Sequence, residues 1–241
     1  MKYMGSKNRI AKYLLPIILK DRKPEQWYVE PMVGGANTID KVEGNRIGAD
    51  SHELLIGALK LIRDNPQSIP DLITEDDYSR EKAGEFNSQM TGFIGFAMSF
   101  GGKWFAGYRR DVKGTKGCID NMSTQTRRSK QSAVKQSANI QGVDFVNAKY
   151  QDLEIPASSI VYCDPPYAGT TKYKDGDFNH TEFWQKCRDW CADGHQVFVS
   201  EYNAPDDFVC VWEKEISVNV AKNSKGKKGV ERLFVHESQA K

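Results

Sequence analysis

The sequence predicts an α/β fold: a mainly parallel sheet with an antiparallel edge hairpin, interrupted by a mostly helical insertion. Three observations predict it. Helical and strand-like stretches alternate over residues 8–64, the pattern of βαβ units and so of a parallel sheet. Between residues 65 and 145 helical stretches, an aromatic cluster and a polar basic tract replace that alternation. From residue 159 it returns, and it closes with runs at 209–220 and 233–235 whose apolar–polar spacing suits an antiparallel pair.

Residues 8–20 place Ile10, Leu14, Ile17 and Ile18 on one face of an amphipathic helix. Residues 27–29 suit a strand. Gly34-Gly35 then forces a turn, and Asn37-Thr38 can open a helix. NRIGAD reads as a short strand ending at Asp50. HELLIGALKLIRDNP aligns Leu55, Leu59 and Ile62 on a helix, with Pro66 beyond its end. Inside the insertion, GFIGFAMSFGGKWFAGYRR is rich in aromatics. Residues 108–141 hold no strong β run, and their Ser, Gln, Gly and basic content predicts a mobile basic loop. Residues 159–163 read as a strand, 180–193 as a helix and 196–200 as a strand. KNSKGKKG at 222–229 reads as the exposed basic loop of the closing hairpin.

The 241 residues allow one domain, or one domain with a sizeable insertion, and are enough to bury a core. The formal charge of +2 points to no partner, but its distribution does. Residues 108–141 carry +6, through Arg109, Arg110, Lys113, Lys116, Arg127, Arg128, Lys130 and Lys135 against two aspartates, which leaves −4 on the rest. One basic patch on a mildly acidic protein is expected to meet phosphates, although a charge run is by default a solvated surface. Five cysteines with no CxxC pair read as reduced packing thiols of a cytoplasmic protein. The four histidines are scattered, so no metal site is expected. No stretch approaches the ~20 apolar residues of a membrane span, and residues 1–20 lack the features of a signal peptide.

Ligands of open parallel sheets sit at the carboxyl ends of the strands. Three expected strand ends carry unusual residues. EPMVGGA brings glycines that let a backbone approach a ligand, or that merely make a tight turn. Asp50 can accept hydrogen bonds from ribose hydroxyls, or cap the following helix. VYCDPPYAG ends an apolar run in a carboxylate and a stiff aromatic turn. Its prolines remove two backbone donors but keep their carbonyls. Asp164 and the Pro165 carbonyl can therefore both act as acceptors, with Tyr167 as a flat face beside them. A planar ring with an exocyclic amine fits that set. A plain rigid turn accounts for Pro165 and Pro166 but not for the whole tetrapeptide.

KYMGSK at 2–7, VEPMVGGANTI at 29–39 and DPPY at 164–167 together resemble the Dam-type (D12 class, α-group) DNA adenine-N6 methyltransferases, in the same order along nearly the whole chain. VFVSEYNAP at 197–205 and VERLFVHE at 230–237 resemble that family's later strands. The chain departs from its usual F-x-G-x-G loop with Met32-x-Gly34-x-Ala36. The alanine fits if its φ is negative or if the backbone approach is looser. The resemblance implies a Rossmann-like S-adenosylmethionine-dependent methyltransferase sheet, formed by residues 1–64 and 146–241, with a target-recognition insertion at 65–145.

It also implies roles. Asp164, Pro165, Pro166 and Tyr167 would be catalytic. Tyr3, Lys7, Val33, Gly34, Gly35, Ala36, Asp50, Tyr150 and Asp164 would hold S-adenosylmethionine, with Lys7 near its carboxylate, Asp50 on the ribose and Tyr150 along the adenine. Phe178 or Tyr173 could close the far face of the flipped base. Arg109, Arg110, Arg127, Arg128 and Lys130 would contact double-stranded DNA. No obligate protein partner is evident. The same amine chemistry would serve an RNA adenine or an N4-cytosine methyltransferase, and a non-catalytic nucleic-acid-binding module could share the fold. A dinucleotide oxidoreductase is disfavoured because G-x-G-x-x-G is missing after the first strand.

Overall fold

The strands are β1 (Tyr28–Glu30), β2 (Arg46–Asp50), β3 (Val143–Asn147), β4 (Ile160–Cys163), β5 (Gln196–Glu201), β6 (Phe208–Val218) and β7 (Lys227–His236). They form one seven-stranded sheet in the order β3-β2-β1-β4-β5-β7-β6. β1 to β5 pair in parallel, and β7 runs antiparallel to both β5 and β6. This is a Rossmann-like sheet closed by an antiparallel hairpin. The computed structural model describes the chain apart from Asn87, residues 111–120, 168–177, 219–226 and Lys241, and apart from the side chains of 121–124, 216–218 and 227–228. Tyr173, Lys113, Lys116, Cys118 and most of the hairpin loop lie outside the described residues.

The apolar runs follow from burial on both faces. Along β4, Ile160 and Tyr162 enter one core, while Val161 and Cys163 enter the other. A strand covered on both sides must be apolar at every position. One face is covered by α1 (Ala11–Ile18), α2 (Glu53–Asp64), α4 (Gln89–Ala97) and α5 (Asn121–Asn139), with α3 (Glu75–Ala83) beside them. The other is covered by α6 (His180–Ala192), through Phe183, Trp184, Cys187 and Trp190. α2 starts where the His52 ring accepts the Leu55 N–H at 3.3 Å. Among the described residues, no helix is long and apolar enough to cross a membrane.

α2 and α4 cross at Gly92, where a Cβ would fall 1.8 Å from the Leu54 carbonyl oxygen. No rotamer can relieve a clash between backbones, so the helices would have to separate. Gly92→Ala is expected to cost at least ~1–3 kcal/mol, read as a lower urea midpoint at unchanged slope. A midpoint equal to that of the parent would show that the crossing is looser.

Three expectations are corrected. Residues 121–139, expected within a mobile loop, form the 19-residue α5. Its inner face includes the buried Thr126, Ala133, Gln136 and Ser137, so polar contacts replace the usual apolar period. Gln136 donates to the carbonyls of Gly35 at 3.1 Å and Ala36 at 3.0 Å. Second, Val143–Asn147 is a strand paired with β2, and the expected boundary at 145/146 falls inside it. It is the outer strand of the sheet, and only Val143 and Phe145 are buried, so its run is short and half polar. Third, Asn37-Thr38 opens only a 3-10 turn, Ile39–Lys41. The chain is extended again at Val42, which leaves no length for an α-helix before β2.

Candidate active site

β1 lies between β2 and β4. The chain crosses to opposite sides of the sheet from these neighbouring strands, and a crevice opens at their carboxyl ends. The exits from the two strands are residues 31–36 and 164–167. Topology thus brings two motifs that are distant in sequence to one place.

The first exit folds back on β2. The Val33 N–H donates to the Ala49 carbonyl at 2.8 Å, and the Gly34 N–H to Asp50 Oδ2 at 3.2 Å. Asp50 Oδ1 accepts from the His52 N–H at 3.0 Å. The cap of α2 is therefore His52, and Asp50 braces the loop. Gly34 has φ +50 and Ala36 φ +55. Of the two conditions under which the alanine was expected to fit, the negative φ is not met: a 2.9 Å bond from the Ala36 N–H to the Val33 carbonyl closes a left-handed turn around a fully buried methyl. An alanine held so is disfavoured by about 1–2 kcal/mol. The glycines do not leave open space. A Cβ on Gly34 would meet the Tyr3 ring at 2.9 Å, and one on Gly35 the Met1 carbonyl at 2.7 Å. They admit the segment before Lys7, and Tyr3 backs the loop.

At the second exit, Asp164 has a side chain 24% exposed, and its Oδ1 lies 3.1 Å from Lys7 Nζ. The same ammonium lies 3.4 Å from Glu231 Oε2. It also sits 4.3 Å from the centroid of the Tyr167 ring, a cation–π contact. The Tyr167 hydroxyl donates to Glu231 at 2.7 Å, and Tyr202 meets the ring edge-on at 4.6 Å. Lys7 thus has two protein carboxylates as partners in this structure. A buried ammonium takes the nearest acids, and here these are two protein carboxylates.

Two carboxylates around one ammonium leave a net negative charge, which the titration reflects. Burial pushes the Asp164 carboxyl from 3.8 up to about 6, with Lys7 opposing and Glu231 adding to the rise. Burial alone would lower Lys7, but Asp164 and Glu231 more than offset it and hold it above its usual value. Pro165 is buried, and among the described residues no hydrogen bond reaches its carbonyl. Pro166 and Tyr167 are half-buried.

Tyr150 lies past the end of β3, packed against Phe178 and Phe183 with ring centroids 5.7 Å away in each case. Among the described residues its buried hydroxyl has no hydrogen-bond partner. Burial raises its pKa to about 12, so it stays a neutral donor. The basic residues are dispersed. Arg109 donates to the Ala97 carbonyl and to Gln125, Arg110 pairs with Glu75, and Lys130 pairs with Asp71 at 3.1 Å. Arg127 and Arg128 are exposed on α5, and neither is in an ion pair among the described residues.

Sequence reasoning missed two acids. Glu231 shares the parity of Leu233 and Val235 on β7, so its alternation placed it inward, and an inward carboxylate in a strand is a signal. Glu30 shares a face with Tyr28, which donates to it at 2.9 Å. Burial drives its pKa well above the usual carboxylate range. Among the described residues, no group of three acids, cysteines or histidines could hold a metal ion.

Residues 104–209 match the model of the D12 class N6 adenine-specific DNA methyltransferase. The chain is similar in structure to a protein from Listeria monocytogenes described as a class I S-adenosylmethionine-dependent methyltransferase. Identity is 11% and the TM-score 0.39, over 97% of this chain and 60% of that one. It is also similar to SMU.472, described as a methyltransferase and complexed with SAH, at 10% identity and a TM-score of 0.35, over 96% of this chain and 52% of that one. The chain thus spans 60% or less of these two proteins. No curated protein matches its sequence.

Proposed function

We propose, from the match of residues 104–209 to the D12 class N6 adenine-specific DNA methyltransferase, that the chain methylates the exocyclic N6 of an adenine flipped out of double-stranded DNA. The observation that carries this reading is the tip of β4. There Asp164, bound to the Lys7 ammonium that sits over the Tyr167 ring, is followed by a Pro165 carbonyl that no hydrogen bond reaches among the described residues.

The adenine amine is a weak nucleophile because its lone pair is delocalised into the ring. Two acceptors on its hydrogens would return that pair to nitrogen, and a carboxylate would stabilise the positive charge that grows there. Asp164 and Pro165 would be those acceptors, and Pro166 would fix the turn. Tyr167 would stack on the base, returning roughly 1–3 kcal/mol of a flipping cost of a few kcal/mol. Lys7 Nζ, 4.3 Å from the centroid, lies over one ring face. A base stacked on that face requires Lys7 to withdraw toward Glu231. Phe178, beside Tyr150, is a candidate for the far face of the base.

S-adenosylmethionine would supply a methyl group already activated by a sulfonium charge. The crevice fits that group. Tyr150 offers a buried hydroxyl with no hydrogen-bond partner among the described residues, and Asp50, half-exposed, stands at the end of β2. The backbone of Val33, Gly34, Gly35 and Ala36, backed by Tyr3, would lie along the cofactor. Residues 65–145, less the strand β3, would carry target recognition. Arg109, Arg110, Arg127, Arg128 and Lys130 would meet the duplex, with Arg110 and Lys130 first releasing Glu75 and Asp71.

The test is methyl transfer from labelled cofactor to duplex DNA, single-stranded DNA and RNA, with nucleoside analysis. N6-methyladenine in duplex DNA is expected. Product found only as N4-methylcytosine, or only in RNA, would overturn the assignment.

A further inference from the structure

We propose that the cavity between the N-terminal segment, α4 and α5 seats one backbone phosphate of the DNA duplex, apart from the crevice that takes the target base. This rests on the enzyme reading above. The cavity measures about 170 Å³. Lys2, Arg109 and Arg128 bring three positive charges to it, Ser129 and Ser132 bring hydroxyls, and Phe93 supplies an apolar wall. No carboxylate lines it among the described residues.

The charges are set against one another. Arg109 is pinned by the Ala97 carbonyl at 3.4 Å and by Gln125. Burial, and then repulsion from Arg109, holds the Lys2 ammonium below the usual lysine range. An anion between them would relieve that repulsion. Cations and hydroxyls together suit tetrahedral oxygens. The volume is below the roughly 300 Å³ at which small-molecule pockets begin. It is several times the ~30 Å³ of a water, so it suits a phosphate group and not a whole nucleotide.

Position identifies the source of that phosphate. Lys2 is five residues from Lys7, whose ammonium touches Asp164. An extended chain advances at most ~3.3–3.6 Å per residue, so the two Cα atoms lie within roughly 18 Å. At ~3.4 Å per base along a strand this is about five nucleotides. A phosphate in the cavity thus falls within about half a turn of a base held at Asp164. It would fix register and carry no sequence information.

The experiment combines Lys2→Gln and Arg128→Gln, both exposed positions, with a methylphosphonate scan that neutralises one phosphate at a time near the target adenine. The wild-type chain is expected to lose roughly tenfold in affinity at one position within about five nucleotides of the target. The double variant should be insensitive there, with its log–log salt slope reduced by about 1 on every duplex sequence. A wild-type chain that methylates duplex DNA but shows no coupled position overturns the phosphate seat and leaves the enzyme reading standing. A chain that methylates no DNA overturns the enzyme reading and the DNA phosphate with it. In that case inorganic phosphate that stabilises the wild type, but not the variant, against heating would reassign the cavity to a free anion.

Discussion

Asp164→Asn is expected to lower methyl transfer by roughly 10²–10⁴-fold while leaving the fold as stable as the parent, or more so, at neutral pH. The geometry gives both halves. Asparagine keeps one acceptor oxygen but loses the charge that would stabilise a developing cation. It also removes one of two carboxylates that crowd a single ammonium, leaving Lys7 and Glu231 as a neutral pair. The carboxyl titrates at about 6 against 3.8 in a model peptide. Between those values the folded chain binds a proton that the unfolded chain has released. The stability from this group is therefore complete below about pH 4 and is lost as pH rises through 6, by up to about 3 kcal/mol. Activity should move oppositely, rising through pH 6 as the carboxylate forms. Thermal melts from pH 4 to 8, with rates of labelled methyl transfer, test both. A variant that keeps a tenth of the parent's activity, or that melts well below it at pH 7.5, would refute the assignment.

Lys7→Met is expected to be the most destabilising single change at the site. Among the described residues no other cation pairs with Asp164 or Glu231. Removing the ammonium leaves two largely buried carboxylates facing each other. Breaking a buried pair in this way costs about 3–5 kcal/mol, or on the order of 10 °C in Tm for a chain of this size. The loss should shrink at acid pH, where the Asp164 carboxyl takes up a proton. Adding Asp164→Asn to Lys7→Met should recover part of it, because one of the two stranded charges is gone. Strict additivity of the two changes would show that the three groups do not act as a unit.

Much of the frame was legible because its elements announce themselves singly. α2 carries a full apolar stripe, and β4 and β5 are strands bounded by turn residues. DPPY was legible because its chemistry is local to four residues. What escaped was carried by partners distant in sequence. α5 looked like a loop because its buried face is Thr, Ala, Gln and Ser, and Gln136 has meaning only beside Gly35 and Ala36. β3 is an edge strand with two buried side chains, too few to stand out. Lys7 was recognised as a site residue, but its protein partners were not. Its pairing with Asp164 and Glu231 depends on a sheet order in which β7 lies inside β6, and hairpin spacing alone does not dictate that order. The sign of φ at Ala36 could not be read, since a backbone torsion leaves no mark in composition.

The place of β7 bears on how the protein is made. It is last in the sequence, yet it is an interior strand between β5 and β6, and its Glu231 lies 64 residues beyond the Tyr167 it holds. A nascent chain that has released DPPY from the ribosome still lacks the acid that positions that turn, and the edge of β5 stays open until the final hairpin threads in. Competence for chemistry therefore waits for β7, and fragments that stop short of β7 should be inert and prone to pair edge to edge.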